Sequence, residues 1–129
     1  MMHQDIKQQV KSLQPEEAYR EIAQGALLID VRHPKEVEFV TFQIDNRLEI
    51  SLLDLVHRMN ELPEDCKIIT ADFYGVNGFK AANMLQHNGF ENVSYIHGGM
   101  KAWALDGFPL KYNVEDSCSD GSCGGCTCC

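Results

Sequence analysis

Basic residues are scarce in this sequence. Its 129 residues include 11 Lys and Arg against 19 Asp and Glu, which leaves a formal net charge of -8 at pH 7. Proteins that bind nucleic acid or anionic membrane surfaces do so through clustered Lys and Arg side chains. The basic residues here are scattered along the chain, so the sequence argues against both kinds of partner.

Long apolar runs are also missing. No stretch approaches the ~20 apolar residues that a membrane-spanning helix needs. The first nine residues lack the apolar centre of a secretory signal. From these two absences we expect a soluble, cytoplasmic protein without a membrane partner.

Cysteine is nearly absent from the first 112 residues, where Cys66 stands alone. A secreted scaffold held by disulfides spreads its cysteines through the fold, so this distribution excludes that class. The other five cysteines crowd into the last twelve residues, and segment 113–129 has one aliphatic and no aromatic residue. Such a segment cannot bury enough apolar surface to order itself. We predict one domain over 1–112 and a flexible, cysteine-rich tail over 113–129.

Short apolar runs typical of buried strands alternate with segments of helical spacing. The strands are predicted at 27–31, 48–50, 68–71 and 93–96. The helices are predicted at 15–24, 36–39, 52–59, 78–87 and 100–105. Because short connections join these elements in alternation, the sequence predicts an α/β fold with a parallel central sheet and helices on both faces.

The stretch from 67 to 86 is the centre of the predicted fold, and its pattern predicts a strand, a tight loop and a helix. A loop that closes at a helix N-terminus meets backbone N–H groups without carbonyl partners and the positive end of the helix dipole. An anion or a thiolate is stabilised there, so a catalytic protein would carry its nucleophile at position 72. The loop residues are Asp72, Phe73, Tyr74, Gly75, Val76, Asn77 and Gly78.

Four stretches stand in a recognisable order. They are Leu28-Ile29-Asp30-Val31-Arg32 followed by Pro34 and Glu36; the loop and helix with Lys80-Ala81-Ala82; Gly89-Phe90-Glu91-Asn92-Val93; and Gly98-Gly99-Met100-Lys101-Ala102-Trp103. In combination they resemble the rhodanese-like domain, over about residues 10 to 110. The resemblance implies a small α/β fold. In active members it also implies transfer of sulfane sulfur from thiosulfate or a persulfide to a thiol acceptor, with one cysteine as carrier.

The loop departs from the family's pattern. The resemblance places the family's loop cysteine on Asp72 and keeps only Gly75 of the loop motif. A carboxylate cannot carry a sulfane sulfur, and its charge repels thiosulfate. We therefore predict that the loop lacks sulfurtransferase activity and that Asp72 caps the following helix, with a catalytic aspartate as the alternative. Asp30 and Arg32 are predicted to bond to each other and to backbone, and Trp103 is predicted in the core.

The tail concentrates the thiols in the pattern C-x4-C-x2-C-x-C-C, formed by Cys118, Cys123, Cys126, Cys128 and Cys129. A C-x-x-C pair favours the thiolate and positions two sulfurs for one metal, for a disulfide or for persulfide transfer. Four thiolates could hold Zn, Cu(I) or an iron–sulfur cluster. Metal binding, a persulfide relay and the absence of any specific role remain open interpretations.

Two hypotheses of function follow. In the first, the domain is a binding or regulatory module, with a protein partner in the pocket above Gly75 and a tail that binds metal or senses redox state. In the second, it is a sulfurtransferase or persulfide carrier that serves a thiol acceptor, with Cys126 or Cys128 as the nucleophile. Acidic residues in the tail oppose the second hypothesis, because they would repel Asp72.

Overall fold

The computed structural model describes residues 10–113, in which seven short strands and five helices alternate. The strands are β1 (Lys11–Leu13), β2 (Leu27–Asp30), β3 (Val40–Phe42), β4 (Arg47–Glu49), β5 (Ile68–Ala71), β6 (Val93–Ile96) and β7 (Leu110–Tyr112). The helices are α1 (Pro15–Ala23), α2 (Pro34–Val37), α3 (Leu52–Arg58), α4 (Val76–His87) and α5 (Gly99–Leu105), with a 3-10 turn at Met59–Glu61. Over the described range, no helix has the length and apolarity needed to cross a bilayer.

Strand β5 lies at the centre of a five-stranded sheet with the order β1-β6-β5-β2-β4, in which all neighbours are parallel. Ile29 of β2 and Tyr95 of β6 pair with Thr70 on either side of it. All four residues of β5 are buried, as expected for a strand covered on both faces. Strands β3 and β7 form a separate antiparallel pair beside the sheet.

The core consists of two apolar clusters, one on each face of the sheet. Alternating side chains divide between them, so Leu28 and Ile69 belong to one cluster while Ile29 and Ile68 belong to the other. The first cluster includes residues of α1 and α5, and the second includes residues of α3 and α4. The predicted α/β fold, with a parallel sheet between helices, is confirmed.

Trp103 anchors the first cluster, as predicted. It is fully buried, its ring packs edge-on against Phe42 at a centroid distance of 5.3 Å, and its indole N–H donates to the Pro109 carbonyl at 2.9 Å. Tyr19 of α1 is 39% exposed and packs edge-on against the same indole ring at a centroid distance of 5.8 Å. Phe79 of α4 is 43% exposed and packs edge-on against Tyr95 at a centroid distance of 5.4 Å.

Several predicted boundaries were wrong. Helix α2 begins at Pro34 because the His33 side chain accepts the Lys35 N–H and caps it, whereas the prediction began at Glu36. Helix α4 begins at Val76, two residues before Gly78, because Gly75 takes the N-cap position. Strands β1, β3 and β7 were not predicted. The predicted tail lies outside the described residues apart from Asn113, so the boundary at 112 stays a prediction.

Candidate functional site

The loop between β5 and α4 is closed by the Asp72 side chain. Asp72 is 5% exposed, its Oδ1 accepts the Gly75 N–H at 2.6 Å, and its Oδ2 accepts the Asn77 N–H at 3.0 Å. Both N–H groups lie at the start of α4, where the helix supplies no carbonyl partner and the dipole favours negative charge. The carboxylate therefore occupies the anion cradle that the sequence predicted at this position.

The N-terminus of α5 holds the loop from the other side. The Met100 N–H donates to the Asp72 carbonyl at 2.7 Å, and the Lys101 N–H donates to the Phe73 carbonyl at 3.0 Å. Gly99 permits this approach, because a Cβ there would lie 2.5 Å from the Asp72 carbonyl oxygen. Gly75, with φ of +101°, packs its α-carbon against Gly98, where a Cβ would meet the Gly98 nitrogen at 2.9 Å. The paired glycines of the sequence thus position the loop.

Arg32 is fully engaged in structural bonds beside the loop. Its Nη2 donates to Asp30 Oδ2 at 2.7 Å and to the Val40 carbonyl at 2.6 Å, and both side chains are buried. Its Nη1 reaches the Glu36 carbonyl at 3.4 Å. The guanidinium thereby joins the end of β2 to α2 and β3, as predicted for a structural pair.

A cavity of about 420 Å³ lies between α2 and the loop. Its lining residues are Arg32, Glu36, Asp72, Phe73, Tyr74 and Asn77. The rings of Phe73 and Tyr74 stand perpendicular at a centroid distance of 4.6 Å, and both are partly or largely exposed. Of the seven loop residues predicted as a site, four line this cavity, whereas Gly75 and Val76 line another and Gly78 is buried in α4. Glu36 was missed as a site residue, and its place four residues after the Asp30-Val31-Arg32 stretch was the only signal in the sequence.

A second, smaller cavity connects the loop to the end of the described chain. It has a volume of about 260 Å³ and an apolar lining that includes Phe73 of the loop and Tyr112 of β7. The next residue, Asn113, donates its N–H to the Phe39 carbonyl at 2.9 Å. Tyr112 and Phe73 of the loop therefore line one cavity, and Asn113 is held by Phe39.

The tail thiols lie beyond the described residues. The predicted metal ligands Cys118, Cys123, Cys126, Cys128 and Cys129, which include the alternative nucleophiles, therefore stay predictions. Between residues 10 and 113, His, Cys, Asp and Glu side chains form no group of three that could hold a metal. Cys66, before β5, is partly buried and its thiol donates to the Lys67 carbonyl at 3.5 Å.

The family model for the rhodanese-like domain matches residues 14–106. The chain belongs to the rhodanese-like domain family. This rhodanese-like domain is 30% identical over 108 residues to the thiosulfate sulfurtransferase GlpE of Haemophilus influenzae, an alignment that covers 78% of this chain and 93% of the relative. It is 29% identical over 87 residues to a sulfurtransferase of Allochromatium vinosum, covering 67% of this chain and 79% of that one.

Solved structures share the fold of this rhodanese-like domain. A rhodanese-related protein from Thermoplasma volcanium superposes with a TM-score of 0.71 at 26% identity, covering 78% of this chain and 97% of that one. A NAD-dependent persulfide reductase from A. fulgidus gives a TM-score of 0.63 at 26% identity, but the match covers 77% of this chain and only 17% of the reductase. The domain therefore also occurs within much larger proteins.

Replacing Asp72 with alanine should lower the free energy of unfolding by about 2 kcal/mol, because two N–H groups lose their acceptor. Asp72→Asn keeps one acceptor oxygen and should cost about half as much. The measurement is urea denaturation followed by the fluorescence of the single tryptophan. Asp54→Ala, which removes an exposed carboxylate from the first turn of α3, is the matched control. Equal effects at both positions would contradict a special role for the Asp72 bonds.

Proposed function

We propose that this rhodanese-like domain is a binding or regulatory module whose loop does not transfer sulfur. In this proposal Asp72 stands at the family's nucleophile position, and the cysteine-rich tail binds Zn or Cu(I) or senses redox state. The observation that carries the proposal is the pair of hydrogen bonds from Gly75 and Asn77 to the Asp72 carboxylate. The protein's own side chain fills the anion cradle.

Sulfur transfer needs a thiolate at that place. A thiolate attacks the sulfane sulfur of thiosulfate, a new S–S bond forms on the protein, and sulfite leaves with the electron pair of the broken bond. A carboxylate oxygen does not form a stable counterpart of that persulfide. The two N–H groups that would stabilise a sulfur anion are also already used by Asp72. The loop therefore lacks both the nucleophile and a free cradle.

The tail supplies the thiol chemistry of the proposal. It contains five cysteines and no histidine, and four thiolates suit the tetrahedral coordination of Zn as well as the soft ion Cu(I). Glycines separate Cys123 from Cys126, so few side chains would obstruct wrapping around an ion. When bound, such a metal would cross-link the tail rather than take part in a reaction at the loop.

A persulfide carrier is the second candidate. It is supported by Tyr112, which lines the same cavity as Phe73 of the loop. A flexible coil from Tyr112 to Cys126 spans about 20 Å, so reach does not exclude the tail thiols from the loop face. Relatives are named sulfurtransferase and persulfide reductase, which fits this chemistry. Repulsion opposes it, since Glu115 and Asp116 would approach Asp72.

The test compares the reduced full-length protein with a variant that carries serine at all five tail cysteines. Each protein is incubated with thiosulfate and with glutathione persulfide, added sulfur is mapped by peptide mass, and Zn and Cu(I) are titrated under native mass spectrometry. We expect no turnover by the serine variant and one metal ion per chain in the parent alone. Cys66→Ser is the control and should match the parent in metal content.

Each outcome separates the hypotheses. Turnover of thiosulfate by the variant without tail cysteines would disprove the inactive loop. Sulfur on Cys126 or Cys128 of the parent that passes on to a thiol acceptor would favour the persulfide carrier instead. A parent that takes up neither metal nor sulfur, and whose tail thiols do not respond to oxidants, would remove the proposed role of the tail.

A further inference from the structure

We propose that the cavity between α2 and the loop binds a cation, namely an arginine side chain presented by a partner protein. This inference rests on the proposed role as a binding module and names the chemistry of its partner. Three observations support this inference. The cavity lining is negatively charged, its walls are aromatic, and the chain's own tail sequence contains no cationic residue.

The charge of the cavity lining is negative. Asp72 and Glu36 contribute two carboxylates, whereas the lining cation, Arg32, is already paired with Asp30. Within residues 10–113, neither Asp72 nor Glu36 takes part in an ion pair. Asp72 is nearly buried, and its charge is met by two backbone N–H groups at the start of α4 rather than by a cation. Each of its oxygens accepts one N–H, so a second acceptor site on each remains for a cationic donor.

The walls of the cavity are aromatic. Phe73 is 38% exposed and Tyr74 is 63% exposed, so both rings are accessible from the cavity. Ring faces attract cations, and the Lys101 ammonium already lies 5.7 Å from the centroid of Tyr74. A planar guanidinium can stack on a ring and offer two N–H groups to a carboxylate, which an ammonium cannot do. The combination favours arginine over lysine.

Other occupants fit less well. Thiosulfate is a dianion and would meet the carboxylates of Asp72 and Glu36. The tail from 113 to 129 starts close by but contains neither Lys nor Arg, so it cannot supply the cation. A second copy of the chain carries the same net charge of -8, which opposes self-association at this face. A basic segment of a different protein complements the site best.

The experiment is an amide NMR titration of the full-length, nitrogen-15-labelled protein. The probe is a short peptide whose single charge is a central arginine, and the matched probe carries citrulline, which has the same shape without the charge. We expect saturable shifts of the amides of 73–77 with the arginine peptide and at least about fivefold weaker binding of the citrulline peptide. Sodium thiosulfate should give no saturable shift at these amides.

Charge-neutralising variants locate the site. Glu36→Gln and Asp72→Asn should each weaken the arginine peptide by about fivefold, while Glu38→Gln, an exposed change outside the lining, should alter affinity less than about twofold. Equal binding of both peptides, or no loss in Glu36→Gln, would overturn the proposal even if Asp72→Asn failed to fold. Saturable shifts with thiosulfate would also overturn it, as would loop shifts that follow protein concentration alone, which identify a second copy as the occupant.

The inference and the proposed function fail separately. If the variant without tail cysteines turns over thiosulfate, the inactive loop is disproved whatever the peptide does. If that variant is inert and the arginine peptide does not bind, the module hypothesis stands and only its arginine partner is rejected.

Discussion

Replacing Gly99 with alanine should lower the free energy of unfolding by about 3 to 5 kcal/mol, from backbone overlap together with an unfavourable positive φ. The Cβ of the new side chain would lie 2.5 Å from the Asp72 carbonyl oxygen and 2.6 Å from that of Phe73. Because both neighbours are backbone atoms, no side-chain rotation can relieve the overlap. Small domains have total stabilities of about 5–15 kcal/mol, so this one change should remove a large share.

Gly107→Ala is the matched control for Gly99→Ala. Gly107 has φ of +85°, close to the +63° of Gly99, but a Cβ there meets nothing within 4 Å. The control should therefore cost only the conformational penalty, about 1 kcal/mol. Urea denaturation followed by Trp103 fluorescence measures both variants, since this tryptophan is fully buried in the folded protein. Equal losses at the two glycines would show that the approach of α5 to the loop adds nothing to stability.

The loop depends on the approach of α5 because its carbonyl groups accept hydrogen bonds from the first residues of that helix. The carbonyl oxygens of Asp72 and Phe73 each accept an N–H at the start of α5, while the Asp72 side chain accepts two N–H groups at the start of α4. One residue is thus fixed by two helices. A shift of α5 caused by the alanine would move the Asp72 carboxylate relative to α4, so the stability of the domain and the shape of the cavity are coupled.

The sequence predicted the helices and strands whose signals lie within their own residues. The residues of β5 form a mainly apolar run, those of β6 include β-branched and aromatic side chains, and α1 begins with proline and two acidic residues, so each is visible within its own segment. Strands β3 and β7 are three residues long and pair only with each other, from positions about seventy residues apart. Such short strands show too few alternations for a sequence pattern, because their stability comes from a partner that is remote in the chain.

The candidate site was predictable only in outline. The order of strand, loop and helix placed Asp72 at a helix N-terminus, which follows from local sequence. The two hydrogen bonds that its carboxylate accepts depend on the turn at Gly75. The cavity depends on the position of α2, which brings Glu36 into the same lining as Phe73. These are distances between segments, and hydrophobic spacing does not encode them. The loop's support by Gly99 likewise depends on how closely α5 approaches.

Replacing Asp72 with cysteine should create a loop that forms a persulfide, which we propose the parent loop cannot do, provided the five tail cysteines are serine. The new thiol would lie beside the Gly75 and Asn77 N–H groups, and the start of a twelve-residue helix stabilises a thiolate. That thiolate can attack thiosulfate, gain one sulfur atom and release sulfite. We expect nearly complete modification, measured as the mass gain of one sulfur on the peptide with residue 72.

Asp106→Cys in the same serine background is the control for Asp72→Cys. Asp106 is exposed at the C-cap of α5, where the negative end of the dipole disfavours a thiolate, so little sulfur should be added. Adding Asn77→Arg to Asp72→Cys should raise the rate with the thiosulfate dianion by at least about tenfold through charge attraction. A folded Asp72→Cys protein that gains no more sulfur than the control would show that this loop is no sulfur cradle. Asp72 would then not occupy the family's nucleophile position, and the argument for an inactive loop would lose its basis.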